Sequence, residues 1–112
     1  MSLKSEALLW LAQRTTAAVL ALCVSVHLVT IVYAVRGGLS AAEILGRTRG
    51  SVAWLAFYAL FVIAASVHAP IGLRAVLTEW LRWRGASRDA FLLVFAAILL
   101  FVGLRAVLAV FG

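Results

Sequence analysis

The sequence predicts an all-α membrane protein with three transmembrane helices in a single domain, residues 1–112. Of its 112 residues, 66% are apolar and 12% are charged, and the mean hydropathy is +1.14. A water-soluble domain of this size needs far more polar surface. Three apolar runs are long enough to cross a bilayer, and a helix satisfies its own backbone hydrogen bonds in lipid. The strands of a small barrel would alternate polar and apolar residues, and these runs do not.

The three predicted helices follow the apolar runs. The first runs from about Ala7 to Val35, the second from about Ser51 to Leu81, and the third from about Asp89 to Phe111. Each exceeds the roughly 20 residues that a membrane span requires. We expect no cleavable signal peptide, because the first run is as long as a span and no small-residue cleavage site follows it.

The connections between the helices carry their own signals. Gly37 and Gly38 are expected to end the first helix. Ser40, with Glu43 three residues later, predicts a capping box that starts a short surface helix. The second connection, predicted from Arg82 to Arg88, is short and basic.

The net charge of +6 comes from basic residues that flank the apolar runs. They form no stripe between aromatic residues, so we exclude nucleic-acid binding and expect contact with lipid headgroups. Five lie on the side of the amino terminus and the second connection: Lys4, Arg14, Arg82, Arg84 and Arg88. Three lie in the first connection: Arg36, Arg47 and Arg49. This small excess predicts a cytoplasmic amino terminus for a multi-pass protein of the bacterial inner membrane.

Four ionisable residues fall inside the predicted spans, where each is a functional candidate because it is costly to bury in lipid. They are His27, His68, Arg74 and Arg105. A neutral imidazole is a good axial ligand for haem iron, and arginines can pair with haem propionates. The alternative is that the histidines form structural hydrogen bonds between helices. Two histidines with arginines within reach favour haem.

The expected depths separate the two histidines. At ~1.5 Å per residue, His27 and His68 differ by roughly 14 Å along the membrane normal. A single haem held by both histidines of one chain is therefore not expected. Two haems at two levels fit better, each with a second histidine from another chain. Arg74 either contacts the propionates of a haem at His68 or extends to the headgroups, and Arg105 has the same two options near His27.

Two stretches resemble the membrane-anchor cytochrome b subunits of succinate dehydrogenase and fumarate reductase. In the first, Gln13–Thr16 precede an apolar run to His27, similar to the family's Q/H-R-x-T/S opening before a ligand histidine. In the second, His68–Trp80 are similar to the family's H-x-x-x-G run, with Gly72 in place. That run usually ends in Asp-Tyr, and here it ends in Glu-Trp.

The resemblance implies specific roles for the matched residues. His68 corresponds to the haem ligand of the second helix, and His27 to the first-helix ligand of the two-haem members, both as axial ligands of iron. Trp80 stands where many members carry a quinone-contacting tyrosine. Together with the matched amino-terminal region, this implies a quinone pocket near the cytoplasmic ends of the first two helices. Its predicted residues are Arg14, Thr15, Glu79 and Trp80.

The implied function is electron transfer by a non-catalytic subunit with haem b and quinone as cofactors. The resemblance implies docking to the iron–sulfur subunit of a complex whose flavoprotein acts on succinate or fumarate. It also implies a second anchor chain. A homodimer would hold two haems, whereas a heterodimer would hold only the haem at His68.

Two other classes remain open, a small oligomeric transporter and a cofactor-free membrane assembly subunit. Such transporters usually place a carboxylate at mid-span to bind cations or protons. All four acidic residues lie at or beyond the ends of the spans, which argues against transport: Glu6, Glu43, Glu79 and Asp89.

Overall fold

The computed structural model describes residues 3–112, so Met1 and Ser2 of the predicted domain lie outside it. It contains four helices: α1 (Leu3–Arg36), α2 (Ala41–Thr48), α3 (Val52–Trp80) and α4 (Ala86–Phe111). The three longest, α1, α3 and α4, are each long and apolar enough to cross a membrane. This confirms the predicted fold class. The bundle measures 49 × 24 × 22 Å, and its long dimension matches the length of about 51 Å expected for a 34-residue helix.

The helices begin earlier than the sequence predicts at two places. α1 begins at Leu3 instead of Ala7, and its first turn carries Glu6, whose negative charge is favourable beside a helix amino terminus. α4 begins at Ala86 instead of Asp89, directly after Gly85, whose backbone has φ 93° and ψ −163°. Only glycine adopts this conformation readily, so Gly85 allows the chain to turn directly into α4.

Arg88 was predicted as a loop residue, and that prediction is wrong. It lies in the first turn of α4 and is 7% exposed. Its guanidinium donates to Thr78 Oγ1 at 2.9 Å and to Asp89 Oδ1 at 2.8 Å. These partners satisfy the buried cation, so Arg88 joins the ends of α3 and α4 and is not a free surface charge.

α2 begins with the predicted capping box. Ser40 Oγ accepts a hydrogen bond from the Glu43 backbone N–H at 3.2 Å, and Glu43 Oε1 accepts one from the Ser40 N–H at 3.1 Å. The hydrogen bonds from Ser40 hold the pKa of the Glu43 carboxyl below its usual value of 4.5. The amino end of α2 is therefore fixed by its own local sequence.

α3 lies between α1 and α4 and packs against both in antiparallel fashion. At the α3–α4 contact, a Cβ on Gly103 would collide with the Val62 side chain, so glycine is needed for this close approach. In α1, Cys23 is the only buried residue among those the structure describes. Most large apolar side chains of α1 and α4 face outward, as expected for helices that contact lipid or another chain.

Candidate functional site

His68 lies on α3, half-buried against α1. Its Nδ1 lies 3.3 Å from Thr16 Oγ1, which in turn lies 2.8 Å from the Ala12 carbonyl oxygen. A hydroxyl has one proton, and a helical threonine commonly donates it to the carbonyl four residues earlier. The Thr16 oxygen then accepts the Nδ1–H of His68, which leaves a lone pair on Nε2. Metal-ligating histidines use this arrangement, with one ring nitrogen held and the other free to bind.

A buried amide oxygen without a partner lies one helical turn beyond His68. Gln13 Oε1 is buried and has no hydrogen-bond partner among residues 3–112. The other end of this amide lies 3.4 Å from where a Cβ on Gly72 would be. An unpaired buried polar atom costs about 1–3 kcal/mol. A ligand or second chain that donates a hydrogen bond here would remove that cost.

His27 lies on α1, half-buried within a group of aromatic side chains on α3. Its Nδ1 lies 3.2 Å from the Tyr58 hydroxyl. Its ring meets Tyr58 and Phe61 edge to face, with centroid distances of 5.6 and 5.7 Å, and Tyr58 in turn stacks on Trp54. A phenol can donate or accept, so this contact fits both neutral tautomers of His27.

Two cavities meet at His27. They lie in the part of the bundle next to the first connection, residues 36–51, and we call this part the loop-one end. Their volumes are about 250 and 440 Å³. Ile44 and Thr48 of α2 line both cavities together with His27 and Tyr58. The smaller one also contacts Arg47, whose guanidinium carbon lies 5.5 Å from the centre of the Tyr33 ring. His27 therefore has open space beside it and a cation nearby.

The contacts between α1 and α3 set the relative heights of the two histidines. Thr16 is level with His68, and His27 is level with Tyr58. Thr16 and His27 are 11 residues apart on α1, which corresponds to about 16 Å. Axial nitrogens lie about 2 Å from their metal, so one iron cannot bind both histidines of the same chain. This separation agrees with the expected one of roughly 14 Å.

The two arginines predicted to pair with haem lie in different surroundings. Arg74 lies towards the other end of the bundle, which we call the loop-two end, formed by the amino terminus and residues 81–85. There it lines a polar cavity of about 600 Å³ with Glu79 and Arg88. Arg105 is exposed, with its guanidinium carbon 5.9 Å from the Phe101 ring of its own helix, and it is not among the residues that line the His27 cavities.

The four residues predicted to line the quinone pocket fall into two groups. Arg14 and Thr15 are exposed on α1, and the Arg14 guanidinium carbon lies 5.4 Å from the Trp10 ring. Glu79 and Trp80 lie in the last turn of α3, where the indole is 80% exposed. The cavity that Glu79 lines does not include Arg14 or Thr15, so the structure does not bring the two groups together there.

Three residues near the histidines were not assigned a role from the sequence. The sequence marks Thr16 only as part of the matched Gln13–Thr16 stretch and Arg47 only as a topology charge, and it gives no signal for Tyr58. The antiparallel register of α1 and α3 places Thr16 beside His68 and Tyr58 beside His27. The fold of α2 places Arg47 at a cavity that His27 lines. The predicted ends of the first two helices, Val35 and Ser51, would have placed His68 level with Ala18, two residues from Thr16.

Comparison with protein families gives one match that covers most of the chain. The sequence model described as the succinate dehydrogenase/fumarate reductase transmembrane subunit matches residues 1–104. Comparison with curated proteins and with solved structures finds no significant match. The matched region contains α1, α2 and α3, both histidines and most of α4. The chain therefore belongs to the family of succinate dehydrogenase/fumarate reductase transmembrane subunits.

Proposed function

We propose that this chain is the haem b-binding membrane anchor of a succinate:quinone oxidoreductase and passes electrons between the iron–sulfur subunit and quinone. Family membership supports the anchor role. The contact between His68 and Thr16 is the observation that carries the haem assignment, because it favours the tautomer with a free Nε2.

The residues around His68 fit a b-type haem. The imidazole is only partly buried, so a group held between this chain and a second one can reach it. The buried Gln13 oxygen without a partner leaves an acceptor for a bound group or neighbour one helical turn from His68. When bound, haem supplies one-electron transfer. The chain's own contribution is to orient the His68 ring, to exclude water with apolar helices and to provide Arg74 for propionate charge.

A second anchor chain completes each pair of axial ligands in this proposal. Each chain offers one histidine at each of two heights, so two copies related by a twofold axis would pair His27 with His27 and His68 with His68. A different second anchor that offers a single histidine would complete only the His68 site. His27 would then be structural, held by Tyr58.

The loop-two end carries the proposed contacts to quinone and to the iron–sulfur subunit. The Arg14 guanidinium, the Thr15 hydroxyl and the Trp80 indole N–H are hydrogen-bond donors that suit a quinone carbonyl. Glu79 lies in the polar cavity at the same end. Exposed Arg82 and Arg84 provide a basic surface for an acidic partner. We place this end at the cytoplasmic face of a bacterial inner membrane, where the flavoprotein and iron–sulfur subunits would bind.

The test is the reduced-minus-oxidised absorption spectrum of the intact purified complex. We expect a b-type signal that decreases in His68→Ala and, in a two-haem homodimer, decreases separately in His27→Ala. Copurification of the iron–sulfur subunit serves as the control that each variant still assembles. A wild-type complex that assembles fully and shows no b-type signal would leave a cofactor-free anchor and overturn the haem assignment.

A further inference from the structure

The short helix α2 forms a fixed wall over the His27 cavities. Its amino end is held by the capping box of Ser40 and Glu43. Its carboxyl end is tied to the last turn of α4, because Thr48 Oγ1 donates to the Val110 carbonyl at 2.8 Å. In a second hydrogen bond nearby, the backbone N–H of residue 50 donates to the carbonyl of residue 111 at 2.8 Å. Side chains of α2 are therefore held at defined positions over His27.

Arg47 is the cation that α2 brings to the smaller of these cavities. Arg47 is exposed, and within residues 3–112 its guanidinium makes no hydrogen bond or ion pair. It lies over the Tyr33 ring, and, besides the hydrogen bonds from Ser40, its charge helps to lower the pKa of the Glu43 carboxyl. Glu43, one turn earlier on α2, accepts its hydrogen bond from Ser40 instead. A guanidinium has five N–H donors, and here they remain available to an anion.

The cavities combine three features that together define a class of ligand. The lining is almost entirely carbon, with an imidazole at the junction and a guanidinium at one side. A ligand that is mainly apolar and carries a carboxylate at its edge complements the carbon lining, the imidazole and the guanidinium. We propose that Arg47 binds the carboxylate edge of a ligand at His27, which is a propionate of haem b, and this rests on the proposed function.

This inference replaces Arg105 with Arg47 as the partner of the ligand at His27. Both arginines are exposed, but Arg47 lines the same cavity as His27, whereas Arg105 rests on Phe101 of its own helix. A phospholipid headgroup also offers an anion at this depth, so the test separates the two sources by changing the lipid.

The test measures the midpoint potential of each haem in the intact complex, reconstituted in vesicles. Loss of a cation beside a propionate destabilises the reduced haem, so Arg47→Gln is expected to lower the potential of the haem that His27→Ala removes. Arg47→Lys is expected to retain most of the wild-type potential. Arg105→Gln, the matched control, and the second haem in every variant are expected to show no shift.

The outcomes distinguish this inference from the proposed function. If His27→Ala removes a haem whose potential Arg47→Gln leaves unchanged, the role of Arg47 is overturned while the electron-transfer function stands. A b-type signal that depends on His68 alone, with no haem lost in His27→Ala, also overturns it. A shift of equal size in phosphatidylcholine vesicles with and without phosphatidylglycerol supports propionate binding, and a shift seen only with the anionic lipid contradicts it.

Discussion

His68 and His27 lie about 16 Å apart along the same pair of helices, and they are held by different chemistry. The His68 ring meets the Thr16 hydroxyl, which lies 2.8 Å from a backbone carbonyl that can take its proton, so the Nδ1–H tautomer is favoured. The His27 ring meets a phenol and aromatic edges that accept either tautomer, but it has cavity space beside it. The structure thus favours a free Nε2 at His68 and leaves cavity space beside His27.

The largest expected effect comes from Thr16→Val, which removes the acceptor for the His68 Nδ1–H while keeping the shape of the side chain. Loss of such an outer contact typically costs 10–100-fold in metal-site affinity. A weaker hydrogen bond also makes the imidazole less basic, so the midpoint potential of the His68 haem is expected to rise. Haem content per chain and a redox titration of the assembled complex measure both effects.

Thr16→Ser is the matched control for this variant, because it keeps the hydroxyl. It is expected to stay close to wild type in both haem content and potential. The potential of the second haem should not change in either variant. Equal haem content and an unchanged His68 potential in Thr16→Val would show that Thr16 does not orient the ligand.

Tyr58→Phe makes the corresponding change at His27 and is expected to have a smaller effect. The phenylalanine ring keeps the edge contact to His27 and the stacking on Trp54, and only the hydroxyl is lost. A single neutral hydrogen bond contributes about 0.5–1.5 kcal/mol, so we expect a loss in haem affinity of about tenfold or less. Haem content of the assembled complex measures it. A loss at His27 as large as that of Thr16→Val at His68 would show that the two levels depend equally on one hydrogen bond.

The sequence predicts the spans and the difference in height of the histidines well, because apolar run length and helical rise depend on local sequence. It also predicts the capping box of Ser40 and Glu43, which is confirmed. It misses contacts that depend on how helices pack. The register that pairs Thr16 with His68 and the burial of Arg88 against Thr78 both depend on packing between two helices.

The positions of the arginines also depend on how the helices pack, and the sequence does not predict them. A count along the chain treats Arg47 and Arg105 by their distance from a predicted span, so Arg105 seems the better candidate for His27. The fold of α2 back onto the end of α4, through Thr48 and Val110, carries Arg47 to a cavity that His27 also lines. The proposed quinone residues stay a prediction, because Arg14 and Thr15 do not line the cavity that contains Glu79.

The smallest expected effect comes from Ser40→Ala, which tests whether the cap of α2 holds this helix over the His27 cavities. Ser40→Ala removes the side chain that caps α2, which typically costs about 1 kcal/mol of helix stability. We expect faster hydrogen exchange in the backbone of α2, measured as protection factors by mass spectrometry. The α1 and α3 amides around Thr16 and His68 serve as the internal control, because they lie about 16 Å from the other histidine level.

The same cap should respond to acid, because the hydrogen bonds from Ser40 lower the pKa of the Glu43 carboxyl from 4.5. A carboxyl with a lowered pKa stabilises the folded state fully at pH values above its unfolded pKa and loses that contribution as the pH falls through the folded pKa. Protection of α2 is therefore expected to be constant above about pH 4.5 and to fall below it. In Ser40→Ala this acid dependence should be weaker but not lost, because the backbone N–H of residue 40, the larger cause of the lowered pKa, remains. Protection of wild-type α2 that does not fall with acid would show that the Glu43 carboxylate does not hold α2 in place. The comparison of the two histidine levels would then lose its account of what holds α2 over the His27 cavities.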